Sequence, residues 1–357
     1  MYGEYPDLKK VKKILVVKLR HLGDVLLTSP VFQVLKKELP DCEIDAYIYK
    51  SALPMLEGHP CISEILLYDR EIKSYNFLKR AVEEIKILKK IRSKKYDLVL
   101  NLTEGDRGAI VAKASRAEYT IGYRSNQGIK GKDKVYSHFV KSSSSRHMVE
   151  QNLDFVRRIG IFPKTEDRDL FFSIPNDAYL NISMILKEHH IDEKNFILIH
   201  PASRWRFKCW PAFRMKNLSK MLVEKNFQIV FTAGNEPFEK QMVKEIIESL
   251  PKTHVLNLAG KVTLKELGAL IDMCRLLLCV DSVPLHMASA LKAKCICLFG
   301  PTVDKTWGPW KNDNALIISQ NYSCRPCCLD GCGGSKISDC LYTIEEDRVF
   351  NEILARI

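Results

Sequence analysis

No apolar run in the 357 residues is long enough to span a bilayer as a helix, which argues against an integral helical membrane protein. The opening residues, Met1-Tyr2-Gly3-Glu4-Tyr5-Pro6, are polar and offer no secretory leader, so the expectation is a cytosolic protein. A G-x-G-x-x-G turn and a GxxxxGK[ST] loop are both missing, which argues against an ordinary dinucleotide enzyme and a P-loop NTPase. The twelve cysteines do not include a paired CxxC…CxxC, the spacing that would mark a metal site strongly. Internal repeats and low-complexity stretches are absent. So are a recognisable nucleic-acid motif and any ribbon of interleaved aromatic and basic residues, which disfavours a nucleic-acid partner.

What is present is an α/β pattern, twice. With 46% hydrophobic residues the chain can bury substantial cores, and its length suits two α/β domains. Strand-like apolar runs fall at 14–19, 43–49, 64–69, 98–102, 119–123 and 135–140. Helical spacing occupies 30–39, 74–92 and 146–159. A looser stretch near 161–175 marks a domain boundary, giving domains 1–175 and 176–357. The pattern then restarts with strand-like runs at Phe196–Pro201, Gln228–Gly234, Val255–Gly260, Leu276–Ser282 and Cys295–Gly300, again separated by helices. Apolar strands alternating with helices predict parallel sheets covered on both faces. The expected architecture is two doubly wound, Rossmann-like domains facing a cleft.

The formal charge is +12 and it is uneven. Residues 1–175 hold 32 basic and 23 acidic side chains, whereas 176–357 hold 23 and 20. A basic first half suits an anionic partner such as a phospholipid surface or a phosphorylated glycan; a merely solvated lysine-rich surface is the plainer alternative. Five cysteines gather in a Gly-containing loop, Cys324, Cys327, Cys328, Cys332 and Cys340. Zinc, an iron–sulfur cluster or simple structural thiols would all fit them, and no metal site is assigned.

Chemistry-bearing residues collect at strand ends, where open α/β sheets place ligands. Gly23-Asp24 leaves the first strand, with a carboxylate free to act as a base. Thr28 or Ser29, with Pro30, is expected to cap the helix that follows. In the second half Ser203 and Lys208 follow one strand, Gly234 and Glu239 another, and Asp281, Ser282 and His286 a third. Backbone N–H groups at a helix start plus Lys208 would suit a diphosphate, and Glu239 a ribose diol. No D-x-D pair stands beside these strand ends to hold Mg²⁺. Each residue alone has a bland reading: a first-turn helix charge, a cap, a surface lysine. Together, facing a second domain that carries a carboxylate, they point to a sugar nucleotide.

The segments Lys13–Val25, His147–Glu150, Phe207–Trp210, Leu258–Leu267, Val280–Ala290 and Cys297–Thr302 resemble the ADP-heptose glycosyltransferases of lipopolysaccharide core synthesis, glycosyltransferase family 9, and most of all its heptosyltransferase III branch. The resemblance implies a GT-B fold and an inverting, metal-independent transfer without a cofactor. Carried over, it implies Asp24 as catalytic base and Lys208, Glu239, Val262, Asp281 and Ser282 as donor-binding residues; Ser203 and His286, from the same strand ends, are added to the donor site. It also implies an ADP-heptose donor and a lipopolysaccharide-core acceptor at the cytoplasmic membrane face; the basic first domain, with Arg20 and Arg107 near strand ends, suits an anionic acceptor. The loop Arg204-Trp205-Arg206-Phe207 is more basic and aromatic than in heptosyltransferase I. Two other readings remain open from residues alone: a GT-B sugar-nucleotide epimerase, and a non-catalytic basic protein that binds membranes or nucleic acid.

Overall fold

A computed structural model describes residues 5–124, 128–143 and 145–357. Residues 1–4 of the polar N-terminus lie outside them. The chain divides into two compact units, Met1–Ser173 and Ile174–Ile357.

Unit 1 is one parallel sheet of β1 (Lys13–Lys18), β2 (Glu43–Tyr49), β3 (Glu64–Tyr68), β4 (Leu98–Asn101), β5 (Tyr119–Tyr123) and β6 (His138–Val140), ordered β3-β2-β1-β4-β5-β6. Its helices are α1 (Leu22–Leu26), α2 (Ser29–Glu38), α3 (Phe77–Ser93), α4 (Asp106–Ser115) and α5 (Met148–Arg157). β1 and β4 are buried along nearly their whole length, as strands covered on both faces must be, so their sequences read as unbroken apolar runs.

Unit 2 repeats the plan with β7 (Phe196–His200), β8 (Gln228–Phe231), β9 (Val255–Asn257), β10 (Leu276–Val280), β11 (Cys295–Leu298) and β12 (Ala315–Ile318), ordered β12-β11-β10-β7-β8-β9. Its helices are α6 (Asn176–Glu188), α7 (Ala212–Glu224), α8 (Pro237–Ile247), α9 (Leu264–Met273), α10 (Val283–Leu291), α11 (Asp304–Trp307), α12 (Asp339–Tyr342) and α13 (Glu346–Leu354). Every strand pairing in both sheets is parallel. Cys279, Cys295 and Cys297 are buried in this sheet as small apolar side chains.

Local signals set several helix starts. α9 opens with a capping box: the Glu266 N–H donates to Thr263 Oγ1 at 3.2 Å and the Thr263 N–H to Glu266 Oε2 at 2.7 Å. The start of α2 differs from expectation. Thr28 occupies the cap position, but its hydroxyl donates back to the Val25 carbonyl at 2.6 Å. Ser29 is the first helical residue, and its Oγ accepts from the Phe171 N–H at 3.0 Å. The cause is α1, a single turn too short for periodicity to reveal, whose last carbonyls compete for the hydroxyl.

In each sheet the chain leaves the central strand in one direction and later returns to its other side. The reversal lies between β1 and β4 in unit 1 and between β7 and β10 in unit 2. Such switch points leave a crevice at the carboxyl ends of the strands.

The burial of His59 leads us to expect a fold that loses stability in acid. His59 packs against Phe32 and Phe171, its Nε2 lies 3.2 Å from the Ser29 carbonyl, and its Nδ1 accepts from the Cys61 N–H at 3.2 Å. That arrangement needs the neutral ring. Burial pushes its pKa down to about 4, against hydrogen bonding that partly opposes the shift. The unfolded chain therefore binds the proton first, so stability is full above the ordinary value of 6.5 and is lost as pH falls through about 4. Denaturant titrations across this range should show a falling midpoint, and His59→Gln should flatten the slope by about one proton. An unchanged slope in the variant would show that His59 is not among the groups responsible.

Candidate active site

The unit 1 switch point is built on a buried lysine. Lys18 ends β1 and is only 4% exposed, with its ammonium donating to the Leu102 carbonyl at 3.2 Å and to Asn152 Oδ1 at 3.0 Å. Asn152 in turn donates to the Leu27 carbonyl at 2.9 Å, tying α5 to the α1–α2 corner. Burial drives the Lys18 amine down to about 8, and the Asp24 carboxylate pulls it back up. Asp24 itself lies in the first turn of α1, half-buried. Gly23 sits beside it within the same turn and is buried. The geometry thus sets a partly exposed carboxylate at the strand-end crevice, above a cation that belongs to the core. Lys18 was not singled out from the sequence, although a charged residue closing an apolar strand was a usable signal.

Arg20 and Arg107 differ in how they are engaged. Arg20 is about half exposed, and its guanidinium reaches Glu104 at 3.6 Å, a loose surface pair. Arg107, in the first turn of α4, grips Glu84 of α3 with both prongs at 2.6 Å. Its guanidinium also lies 3.9 Å from the centroid of the Tyr68 ring, and Tyr68 donates to the same carboxylate at 2.9 Å. Arg107 therefore fastens α3 to the sheet; its fork is already filled by a carboxylate.

In unit 2 the switch point holds an ion pair. Lys208 follows β7 and its Nζ donates to Asp281 Oδ2, at the end of β10, at 2.7 Å. Thr302, after β11, donates to the same oxygen at 2.6 Å. Asp281 is 5% exposed while the Lys208 side chain keeps 18% of its surface, so the cation is the accessible partner. Ser282 sits at the cap position of α10 with extended backbone, its hydroxyl donating to the Val280 carbonyl at 3.1 Å rather than closing the helix. No side chain caps α10; Pro284 has no N–H and the Leu285 N–H donates to the Ser282 carbonyl at 3.1 Å, so an anion at this helix start would meet the Val283 N–H. His286 is buried within the same helix.

The remaining candidates stand at neighbouring strand ends. Ser203 follows β7, buried, and its Oγ accepts from the Trp205 N–H at 3.4 Å. Glu239 lies in the first turn of α8, 5% exposed, with Oε2 accepting from the Gly234 N–H at 2.7 Å. Burial raises its pKa, the Gly234 N–H opposes the shift, and Glu236 adds to it. A side chain at Gly234 would run into Glu239 Oε2 and push that carboxylate aside. Val262, half-buried, follows β9 and Gly260, whose φ of +68° favours glycine.

The cysteine-rich loop braces this pair from two sides. Arg325 donates to the Gly300 carbonyl at 2.8 Å and pairs with Asp304 at 3.0 Å, while the Cys328 N–H donates to the Pro301 carbonyl at 2.9 Å. Both anchors adjoin Thr302. The Ser338 hydroxyl donates to the Phe207 carbonyl at 2.7 Å, next to Lys208. All five thiols are free; Cys340 is buried and Cys324, Cys328 and Cys332 are exposed. Among the described residues, no three His, Cys, Asp or Glu side chains gather as a metal set. Thr302 and the bracing role of this loop depend on pairings across the fold and had no signal in sequence spacing.

A cation at one strand-end switch point and a carboxylate at the other are what a nucleotide-dependent transfer needs, and comparison with known proteins gives the family. The model of glycosyltransferase family 9 (heptosyltransferase) matches residues 85–337. The chain belongs to glycosyltransferase family 9. It is 32% identical to lipopolysaccharide heptosyltransferase 3 of Escherichia coli over 306 residues, covering 85% of this chain and 88% of that one. The fold matches the glycosyltransferase family 9 structure from Veillonella parvula with a TM-score of 0.81 at 22% identity, covering 96% of each chain. It also matches an E. coli heptosyltransferase, WaaC, solved with ADP-2-deoxy-2-fluoro heptose, at TM-score 0.71 and 18% identity, covering 97% of this chain and all of the other. These matches make the architecture GT-B. Membership of a glycosyltransferase family sets aside both the epimerase and the non-catalytic readings. Among the described residues, no helix is long and apolar enough to cross a membrane.

Proposed function

We propose that this enzyme transfers a heptose from ADP-heptose to the inner core of lipopolysaccharide, with inversion and without a metal ion. The observation that carries this reading is the cation Lys208, held at the unit 2 switch point in a chain 32% identical to a lipopolysaccharide heptosyltransferase 3. Unit 2 binds the donor. Lys208 and the open start of α10 at Ser282 receive the diphosphate, with Asp281 and Thr302 holding Lys208 in place. Glu239 accepts from the ribose hydroxyls, Val262 edges the adenine, and Ser203 and His286 complete the surround. Unit 1 binds the acceptor. Asp24 takes the proton of the attacking hydroxyl while Arg20 meets acceptor phosphate. Arg107 acts as a support, keeping α3 on the sheet. As the bond to the diphosphate breaks, charge grows on the departing ADP, and Lys208 neutralises it. The enzyme works as a peripheral protein at the cytoplasmic face of the inner membrane.

The test is a donor screen. ADP or UDP release is measured with candidate sugar nucleotides and a core-oligosaccharide acceptor, with and without EDTA. ADP-heptose should be the preferred donor, and EDTA should leave the rate unchanged. Preference for a UDP-sugar would overturn the donor assignment. Reversible loss of activity in EDTA, restored by Mg²⁺ with the fold unchanged, would overturn the metal-free mechanism.

A further inference from the structure

α3 shows solvent an apolar stripe that the catalytic reading does not use. Phe77, Leu78, Val82 and Ile85 are 83%, 75%, 49% and 51% exposed. Leu78, Val82, Ile85 and Lys89 follow one another at helical spacing, so they share a face. The exposure is not a sign of a helix left undocked. Its other side already has a core: Ile91 is buried, Ile87 and Leu88 pack on the unit 1 cluster, and Glu84 is clamped by Arg107 and Tyr68. The entry is fixed as well, with Asn76 Oδ1 accepting from the Lys79 N–H at 2.9 Å.

The charge around this stripe is one-sided. α3 holds six basic residues, Lys79, Arg80, Lys86, Lys89, Lys90 and Arg92, all exposed, against two glutamates. Both glutamates are engaged, Glu84 inward with Arg107 and Glu83 with Lys86 at 2.7 Å. An apolar face flanked by lysines and arginines is the composition of a helix that lies in a membrane interface. A second copy of the chain fits poorly, because pairing this face with itself would bring two strongly basic helices together.

We propose that α3 docks unit 1 on an anionic phospholipid surface, with Phe77, Leu78, Val82 and Ile85 entering the interface and the flanking lysines and arginines meeting lipid phosphates. The inference builds on the proposed function, which places the acceptor on a membrane, and it names the surface that makes the contact. The long basic side chains can lay their methylene stems along the stripe while their charges stay among headgroups.

The experiment is flotation of the full chain with vesicles of phosphatidylcholine alone, or mixed with phosphatidylglycerol, at low and high salt. The protein should float with the anionic vesicles, and less so as salt rises. Two double variants, Leu78→Ser with Ile85→Ser and Lys89→Glu with Arg92→Glu, should each weaken partition on the order of tenfold. Both should transfer sugar to a soluble, lipid-free core oligosaccharide at the wild-type rate. Partition of both variants equal to wild type would overturn the proposal, as would a wild-type protein that ignores anionic vesicles. A concentration-dependent dimer by light scattering, lost in the variants while partition is kept, would assign the face to self-association instead. The vesicles hold neither donor nor sugar acceptor, so a failed transfer assay counts against the proposed function and a failed flotation against this surface.

Discussion

Replacing Asp24 with alanine should lower turnover by about 10²–10⁴-fold, the range expected when a general base is removed. The affinity for ADP should stay close to wild type. The contrast follows from where the groups sit: Asp24 is on α1 of unit 1, whereas every proposed nucleotide contact is on unit 2. Asp24→Asn sharpens the test, since it keeps the shape and loses only the basicity. Either change also removes the negative charge that helps hold the Lys18 amine protonated. Some loss of stability is therefore expected, and a denaturant titration should accompany the kinetics. A folded variant with near-wild-type turnover would remove Asp24 from the base role. A fall in ADP affinity matching the fall in rate would instead mean that the carboxylate acts on donor binding.

The features legible in the sequence were those carried by local chemistry. Runs such as Ile14–Val17 and Leu276–Val280 announce strands because a parallel sheet covered on both faces tolerates no polar interruption. The places of Glu239 in a first helical turn and of Ser282 at a helix start were legible because a helix that follows a strand has few alternative starting points. What escaped depended on pairing at a distance. Arg107 sits after a strand, as an acceptor contact would, yet Glu84 comes from another helix and fills its fork. Thr302 matters through Asp281, 21 residues away. The cysteine-rich loop draws attention for its thiols, but its visible work is done by Arg325, the Cys328 backbone and Ser338. α1 escaped for another reason: five residues are too few for a helical period to register.

Replacing Lys208 with methionine should weaken ADP binding and lower turnover by more than it weakens binding, by roughly 10²–10³-fold, as losses of a single charge-stabilising donor do. The inequality is the informative part. A point charge beside a diphosphate acts on the bound donor, and acts more strongly as the departing ADP gains charge. The substitution has a structural side effect, because Lys208 lies 2.7 Å from an Asp281 that is almost fully buried. Without the ammonium, that carboxylate keeps only the Thr302 hydroxyl as a side-chain donor among the described contacts. An unpaired buried charge is costly, so Lys208→Met alone should lose stability. Adding Asp281→Asn removes the stranded charge and should recover part of that loss, but none of the turnover. Lys208→Arg keeps the charge in a different shape and should retain more ADP affinity than methionine, with turnover still reduced. Calorimetric titration with ADP and steady-state kinetics on these three variants separate the two effects. Recovery of turnover in the double variant would mean that Lys208 serves only to neutralise Asp281. Unchanged ADP affinity in Lys208→Met would move the lysine out of the donor site altogether.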